Sequence, residues 1–246
     1  MTPPTEPPIR VCVDRYFPGQ VYEPGSVPSL TDMRSASPQE LALEKYKLWQ
    51  VGQTLRIRFL DGEPGIWKIT EDLARQWLEY ANLEFEFGNY PDAEIRVTFQ
   101  PFWGDGYWSW VGRDAYKIAD PQPTIQFCGL TKDSDPLELQ HVVVHEFGHA
   151  IGCVHEQARP DNPIPWNVPV VYDYYWRHYG WDKGMVDHNI LLRYGPAQLE
   201  ASARYDRDSI MQYPVDKRLT IGGFEIGWNR QLSEMDKEFI AKIYPK

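Results

Sequence analysis

His145-Glu146-Phe147-Gly148-His149-Ala150-Ile151-Gly152-Cys153-Val154-His155-Glu156 is the stretch that organises the reading of this chain. On a helix, His145 and His149 stand about 40° apart around the axis and roughly 6 Å apart along it, so their imidazoles converge on one point. Zinc takes nitrogen donors in a tetrahedral array at about 2.0–2.1 Å, and a third ligand must approach from another direction. Gly152 has no side chain, so it can take a positive φ, end the helix and swing His155 back toward the first pair. Three protein ligands leave a position for water, which is the arrangement of a catalytic site rather than a structural one. Glu146 lies beside that position without being forced to bind the metal. It is placed to act as general base and then as the acid that protonates a leaving amine. His141 pairs with His145 at the same four-residue spacing, but Val142 follows it and offers no base. Cys153 reads as a buried, inert thiol, and His178 and His188 as surface or packing histidines.

Outward from this stretch, Asp135 as cap, Pro136 at the first helical position and Glu138 completing a capping box predict a helix start, and Gly152 its end. Upstream, Leu55, Ile57 and Phe59 alternate with Arg56 and Arg58 and predict a half-buried strand. Ile66, Ile69, Leu73, Trp77, Tyr80 and Ala81 keep to one side of a helix that follows it. Phe85 with Phe87, and Ile95, Val97 and Phe99, predict two more strands. Segments 107–112 and 124–127 are further candidates. Downstream, Pro160, Pro163, Pro165 and Pro169 and the aromatic run from Tyr172 to Trp181 read as a loop-rich half. Ser233 with Asp236, followed by Phe239, Ile240 and Ile243, predicts a last helix.

The 246 residues suffice for one large domain or two small ones. Acidic residues outnumber basic ones 35 to 25, a net charge of -10, and no basic cluster stands out. Nucleic acid is therefore not an expected partner. No run approaches the roughly 20 apolar residues of a membrane helix. Three cysteines, Cys12, Cys128 and Cys153, allow at most one disulfide. The N-terminus lacks the basic and apolar regions of a secretory leader. Residues 1–40 carry many of the 21 prolines and read as an extended arm.

The histidine stretch resembles the long zinc signature of the metzincin metalloproteases, and Glu156 directly after the third histidine is the variant typical of astacins. Ser209-Ile210-Met211-Gln212-Tyr213 resembles the Met-turn of that family, 56 residues after His155. The resemblance implies that Met211 forms a hydrophobic base under the zinc ligands. It also implies that Tyr213 can approach the metal as an extra ligand and swing away to stabilise the oxyanion. Trp108-Ser109-Trp110-Val111-Gly112-Arg113 resembles the edge strand along which a peptide substrate lies as an added antiparallel strand; an aromatic core strand is the other reading of those residues. Arg159-Pro160-Asp161 and the final helix are also similar to family segments. Tyr107 stands where a family cysteine would precede the Trp, and Gln212 replaces the family's usual His.

The expected architecture is thus mixed α/β (α+β) and zincin-like, with a twisted, mostly parallel sheet, an active-site helix and a loop-rich C-terminal subdomain. Residues 41–246 form the catalytic domain, divided at 152/153, and residues 1–40 an extension or prosegment. The expected activity is zinc-dependent hydrolysis of internal peptide bonds by a monomer acting on protein or peptide, with no membrane partner. The resemblance favours an extracellular location. Cys12 or Asp14 in the arm is a candidate latch, because a thiolate or carboxylate there can displace the catalytic water. Two alternatives stay open: a silent zinc-containing relative that only holds peptides, and a carbohydrate-binding protein, suggested by 10 Trp and 15 Tyr.

Overall fold

The computed structural model describes Cys12, residues 47–193 and residues 204–246. Strand β1 (Thr54–Phe59) buries Leu55 and Ile57 and pairs in parallel with both β2 (Glu84–Phe87) and β3 (Ile95–Thr98). Beyond β3 lie β5 (Ile125–Phe127), also parallel, and β4 (Tyr107–Ser109), which runs antiparallel at the edge. The sheet order is β2-β1-β3-β5-β4. Parallel neighbours need a crossover between them. Helix α1 (Pro64–Ala74) makes the first. It gives way at Arg75–Glu79 to a 3-10 turn rather than continuing to Ala81 as the apolar spacing suggests. From that turn the buried Trp77 donates its indole N–H to the carbonyl of Val144 at 2.8 Å.

Helix α2 (Pro136–Ala150) packs across the sheet, with the Phe147 ring 5.7 Å from Phe85 and 6.4 Å from Phe127. Asp135 caps it by accepting from the Leu137 amide at 2.8 Å. The expected capping box is not made. The Glu138 carboxylate instead accepts from the Tyr107 hydroxyl at 2.9 Å, tying the helix start to the edge strand.

The C-terminal half holds more helix than the loop-rich expectation allowed. Helix α3 (Val168–Tyr179) covers most of the aromatic run, and α4 (Lys183–Val186) leads into a π turn at Asp187–Leu191. Pro169 falls in the first turn of α3, where a missing N–H costs nothing, so it marks a helix start and not a loop. Val171, Tyr174 and Tyr175 form its buried stripe, and Gly180 closes it at φ 66°.

Helix α5 (Glu234–Ile243) has the predicted Ser233–Asp236 capping box. The residue after it, Tyr244, donates to the carbonyl of Ile151 at 2.6 Å and accepts from the Trp49 amide at 3.2 Å. The C-terminus is thereby anchored to the end of α2. None of the three cysteines is in a disulfide. Among the described residues no helix is long and apolar enough to cross a membrane.

Candidate active site

Helix α2 delivers His145 and His149 on one buried face, one turn apart. Gly152 follows at φ 107°, a backbone conformation that a side chain makes costly, and the chain turns so that His155 faces the helix. The three Nε2 atoms lie 3.2, 3.2 and 3.0 Å from one another. A tetrahedral ion with bonds of about 2.0–2.1 Å requires donor separations of roughly 3.3–3.4 Å, so the ring positions match zinc closely.

For His145 and His149 the outer ring nitrogen explains why the inner one is a lone-pair donor. His145 Nδ1 donates to the carbonyl of Ile210 at 2.8 Å, and His149 Nδ1 donates to that of Cys153 at 2.9 Å. Each bond fixes the tautomer that leaves Nε2 unprotonated. Burial, reinforced by His149 and His155, holds the His145 pKa well below its ordinary value, so the ring stays neutral. Three buried Nε2 atoms at this separation, two of them held as lone-pair donors, favour a cation among them. The donor set therefore fits the metal that the sequence predicts.

Met211 is buried with its sulfur pressed toward Gly148, the residue before His149: an ideal Cβ on that glycine would be 2.5 Å from Met211 Sδ and 2.9 Å from the Trp77 ring. The Met211 carbonyl accepts the Glu156 amide at 3.0 Å, joining the Met-turn to the residue after the third ligand. Glu156 itself accepts from the Asp206 amide at 2.7 Å and lies 3.3 Å from Arg159. The Tyr213 ring packs 4.2 Å from that of His155.

Cys12 sits in the same place. Its sulfur and the three imidazole nitrogens all lie within 4.8 Å of one another. The thiol donates to Glu146 Oε2 at 3.3 Å, and the Tyr213 hydroxyl donates to the Cys12 carbonyl. Cys12 also forms an isolated parallel bridge with Tyr107 of the edge strand. Asp14 lies outside the described residues.

Other sequence candidates fall elsewhere. His141 turns its Nδ1 to the carbonyl of Asn229 and its ring to Trp228, 4.4 Å away edge-on. The His178 ring rests against Tyr174. Cys153 is buried, and burial pushes its thiol far above the ordinary range, so it is inert as expected; its carbonyl, not its sulfur, serves the site. β4 is indeed the sheet edge, but the side chains of Trp108, Ser109 and Trp110 are buried, with Trp108 and Trp110 clustering on Ile118. Those two indoles thus offer no surface for a glycan, and what β4 leaves open at the sheet edge is its backbone. Sequence reasoning missed Asp236 as an anchor for the Met-turn. Its carboxylate accepts from Ser209 Oγ at 2.6 Å and from the Ile210 amide at 2.8 Å, and Ile210 is the residue whose carbonyl orients His145. The capping role of Asp236 was visible in the sequence; its second set of partners was not.

A mostly parallel sheet, a helix bearing two of three converging histidines, a glycine turn and a Met-turn are the fold and metal-site layout of the metzincin zinc peptidases. The chain belongs to the astacin family: residues 68–245 match the model of the Astacin peptidase family. It is 36% identical to myroilysin over 82% of this chain and 97% of that one, with a TM-score of 0.78. High choriolytic enzyme 1, a hatching enzyme zinc-protease from Oryzias latipes, shares the fold, with a TM-score of 0.54 at 19% identity over 81% of this chain and 95% of that one. Protein SpAN of Strongylocentrotus purpuratus is 29% identical over 157 residues, which are 58% of this chain and 22% of that protein. The chain therefore spans well under two thirds of that relative's length.

Proposed function

We propose that this chain is a zinc-dependent endopeptidase that hydrolyses internal bonds of proteins or peptides as a monomer, and that Cys12 holds it latent. In this reading residues 41–246 are the catalytic unit and residues 1–40 the segment that silences it. The observation that carries the proposal is the convergence of His145, His149 and His155 at 3.0–3.2 Å beside the buried Glu146 carboxylate.

His145, His149 and His155 would hold the metal. Zinc supplies Lewis acidity there, which makes water nucleophilic near neutral pH. Glu146 takes the proton from the attacking water and returns it to the leaving amine. Helix α2 holds that carboxylate one residue from the first histidine, so it needs no rearrangement to reach the reacting atoms. Tyr213 donates a hydrogen bond to a carbonyl oxygen in the cleft, as it does to that of Cys12. A scissile carbonyl at the same point would receive that bond as its oxygen gains charge.

The latch follows from the same geometry. A fourth protein donor closes the position that water needs, and four-ligand sites are inert. The Cys12 sulfur is also within hydrogen-bond distance of Glu146, so the proton that a ligating thiol gives up would rest on that carboxylate and keep it from acting as the base. Cys12 meets Tyr107 in the parallel sense, opposite to the antiparallel substrate strand, so a chain held this way presents its carbonyl and amide in the wrong order for cleavage. Casein digestion with and without chelator, by the full chain and by Cys12→Ser, tests both parts. Chelator-sensitive cleavage that rises at least about tenfold in Cys12→Ser is expected. No cleavage by either zinc-loaded protein would refute the peptidase, and equal cleavage by both would refute the latch.

A further inference from the structure

Trp228 stands between two concavities. On one side it lines the metal pocket, together with His141, Tyr213 and Tyr107. On the other it lines an open groove of about 880 Å³ that passes Leu137 and Gln140 on α2, Gln76 and Tyr80 after α1, and Arg230 ahead of α5. That volume lies within the roughly 300–1,000 Å³ of pockets that hold ligands. Neither the metal chemistry nor the latch uses this groove.

The polarity of the edge strand decides which part of a substrate reaches it. A peptide added antiparallel to β4 passes Ser109 first and Tyr107 last, so the residues after its scissile bond leave past Tyr107. Tyr107 is bonded to Glu138, the neighbour of Leu137, at 2.9 Å. The exit therefore opens over the first turn of α2, beside the wall formed by Trp228. Both Leu137 and Trp228 are large apolar side chains left exposed, at 49% and 40%. The paired amides of Gln76 and Gln140, 2.9–3.1 Å apart, lie at the same groove and carry further donors and acceptors suited to an extended backbone.

We propose that this groove binds the downstream limb of the polypeptide substrate, the several residues on the carboxyl side of the cleaved bond, with apolar side chains against Leu137 and Trp228. The proposal rests on the peptidase reading of the metal site. Contacts this far from the reacting atoms contribute binding energy that can raise kcat as well as lower KM. The enzyme would then act on long chains far better than on short ones, and the preference would be one-sided.

The test uses the zinc-loaded full chain carrying Cys12→Ser and a set of peptides with one common scissile bond, extended stepwise on either side. Lengthening the carboxyl side is expected to raise kcat/KM at least about tenfold, and Leu137→Asp to cut that gain below about threefold while the gain from amino-side lengthening persists. Ile221→Ser, an exposed apolar site elsewhere, should keep both gains. A second measurement needs no turnover: the Glu146→Gln, Cys12→Ser chain should bind the long carboxyl-side product peptide at least about tenfold more tightly than the same protein with Leu137→Asp. No gain with carboxyl-side length, a gain indifferent to Leu137→Asp, or equal product binding would each overturn the proposal and leave the groove to another occupant. Failure to cleave any peptide, with Leu137-dependent product binding intact, would instead sink the peptidase reading and spare the groove.

Discussion

Asp236 offers the sharpest test of how the fold holds the first metal ligand. Its buried carboxylate accepts hydrogen bonds from Ser209 Oγ, the Ile210 amide and the Ser233 amide at 2.6, 2.8 and 3.0 Å. The Ile210 carbonyl in turn fixes His145. Asp236→Ala leaves the Ser209 and Ile210 donors buried without that acceptor and removes half of a capping box. Hydrogen bonds to a charged group are worth about 1.5–3 kcal/mol each, but the lost bonds are offset by relief of the carboxylate's desolvation. That desolvation is large, since burial raises the Asp236 pKa in spite of its bonds. A net loss of about 3 kcal/mol is expected, a large share of a typical stability of roughly 5–15 kcal/mol. Zinc affinity should fall about 10- to 100-fold, as it does when a ligand's supporting contacts are lost.

Asp236→Asn separates hydrogen-bond pattern from charge. Its amide oxygen can accept from both backbone amides, while its NH₂ donates to Ser209 Oγ, which already accepts from the Met211 amide at 3.0 Å. The expected cost is under about 1 kcal/mol. The pH dependence has a definite sign. A raised folded-state pKa means that the stability from this group is greatest below the unfolded carboxylate value and declines as pH rises through the folded one. The gap between wild type and Asp236→Asn should therefore narrow as pH rises. Urea denaturation of zinc-loaded protein across mildly acidic to neutral pH, with chelator competition for zinc, measures all of this. A loss under about 1 kcal/mol in Asp236→Ala with unchanged zinc affinity would refute the chain of contacts from α5 to His145.

Three further outcomes are expected. Gly148→Ala forces a methyl group against Met211 and Trp77 and should cost about 1–3 kcal/mol, read by thermal melting of the zinc-loaded protein. Tyr244→Phe removes the bonds to Ile151 and Trp49, so a loss of about 1–3 kcal/mol by denaturant titration is expected; a neutral result would show that the C-terminal anchor is idle. Glu146→Gln in the Cys12→Ser background should keep full zinc content by elemental analysis while cleavage falls by about 10²–10⁴. Loss of zinc in that variant would mean that Glu146 acts through the metal site's integrity.

Legibility from the chain followed the range of the interaction concerned. β1 was readable because the Leu55–Ile57–Phe59 alternation carries its buried face. α5 was readable because Ser233 and Asp236 bond within one turn. Helix α3 is not legible in the sequence because Pro169 has two local meanings, and only the burial of Val171, Tyr174 and Tyr175 selects the helical one. Glu138 reads in sequence as part of its own helix end, because nothing near it announces Tyr107, 31 residues away.

The metal site divides along the same line. Three histidines, a carboxylate and a glycine at set intervals on one helix and its exit turn suffice to specify converging donors, because helical geometry and one positive φ are local properties of the backbone. Which carbonyls hold the imidazoles, where the Cys12 thiol comes to rest and which end of the edge strand opens toward Trp228 depend on segments brought together from 65 to more than 130 residues apart. Those contacts are made by the packing of sheet, helix and Met-turn into one core, and backbone carbonyls leave no mark in the residue pattern that could announce them beforehand.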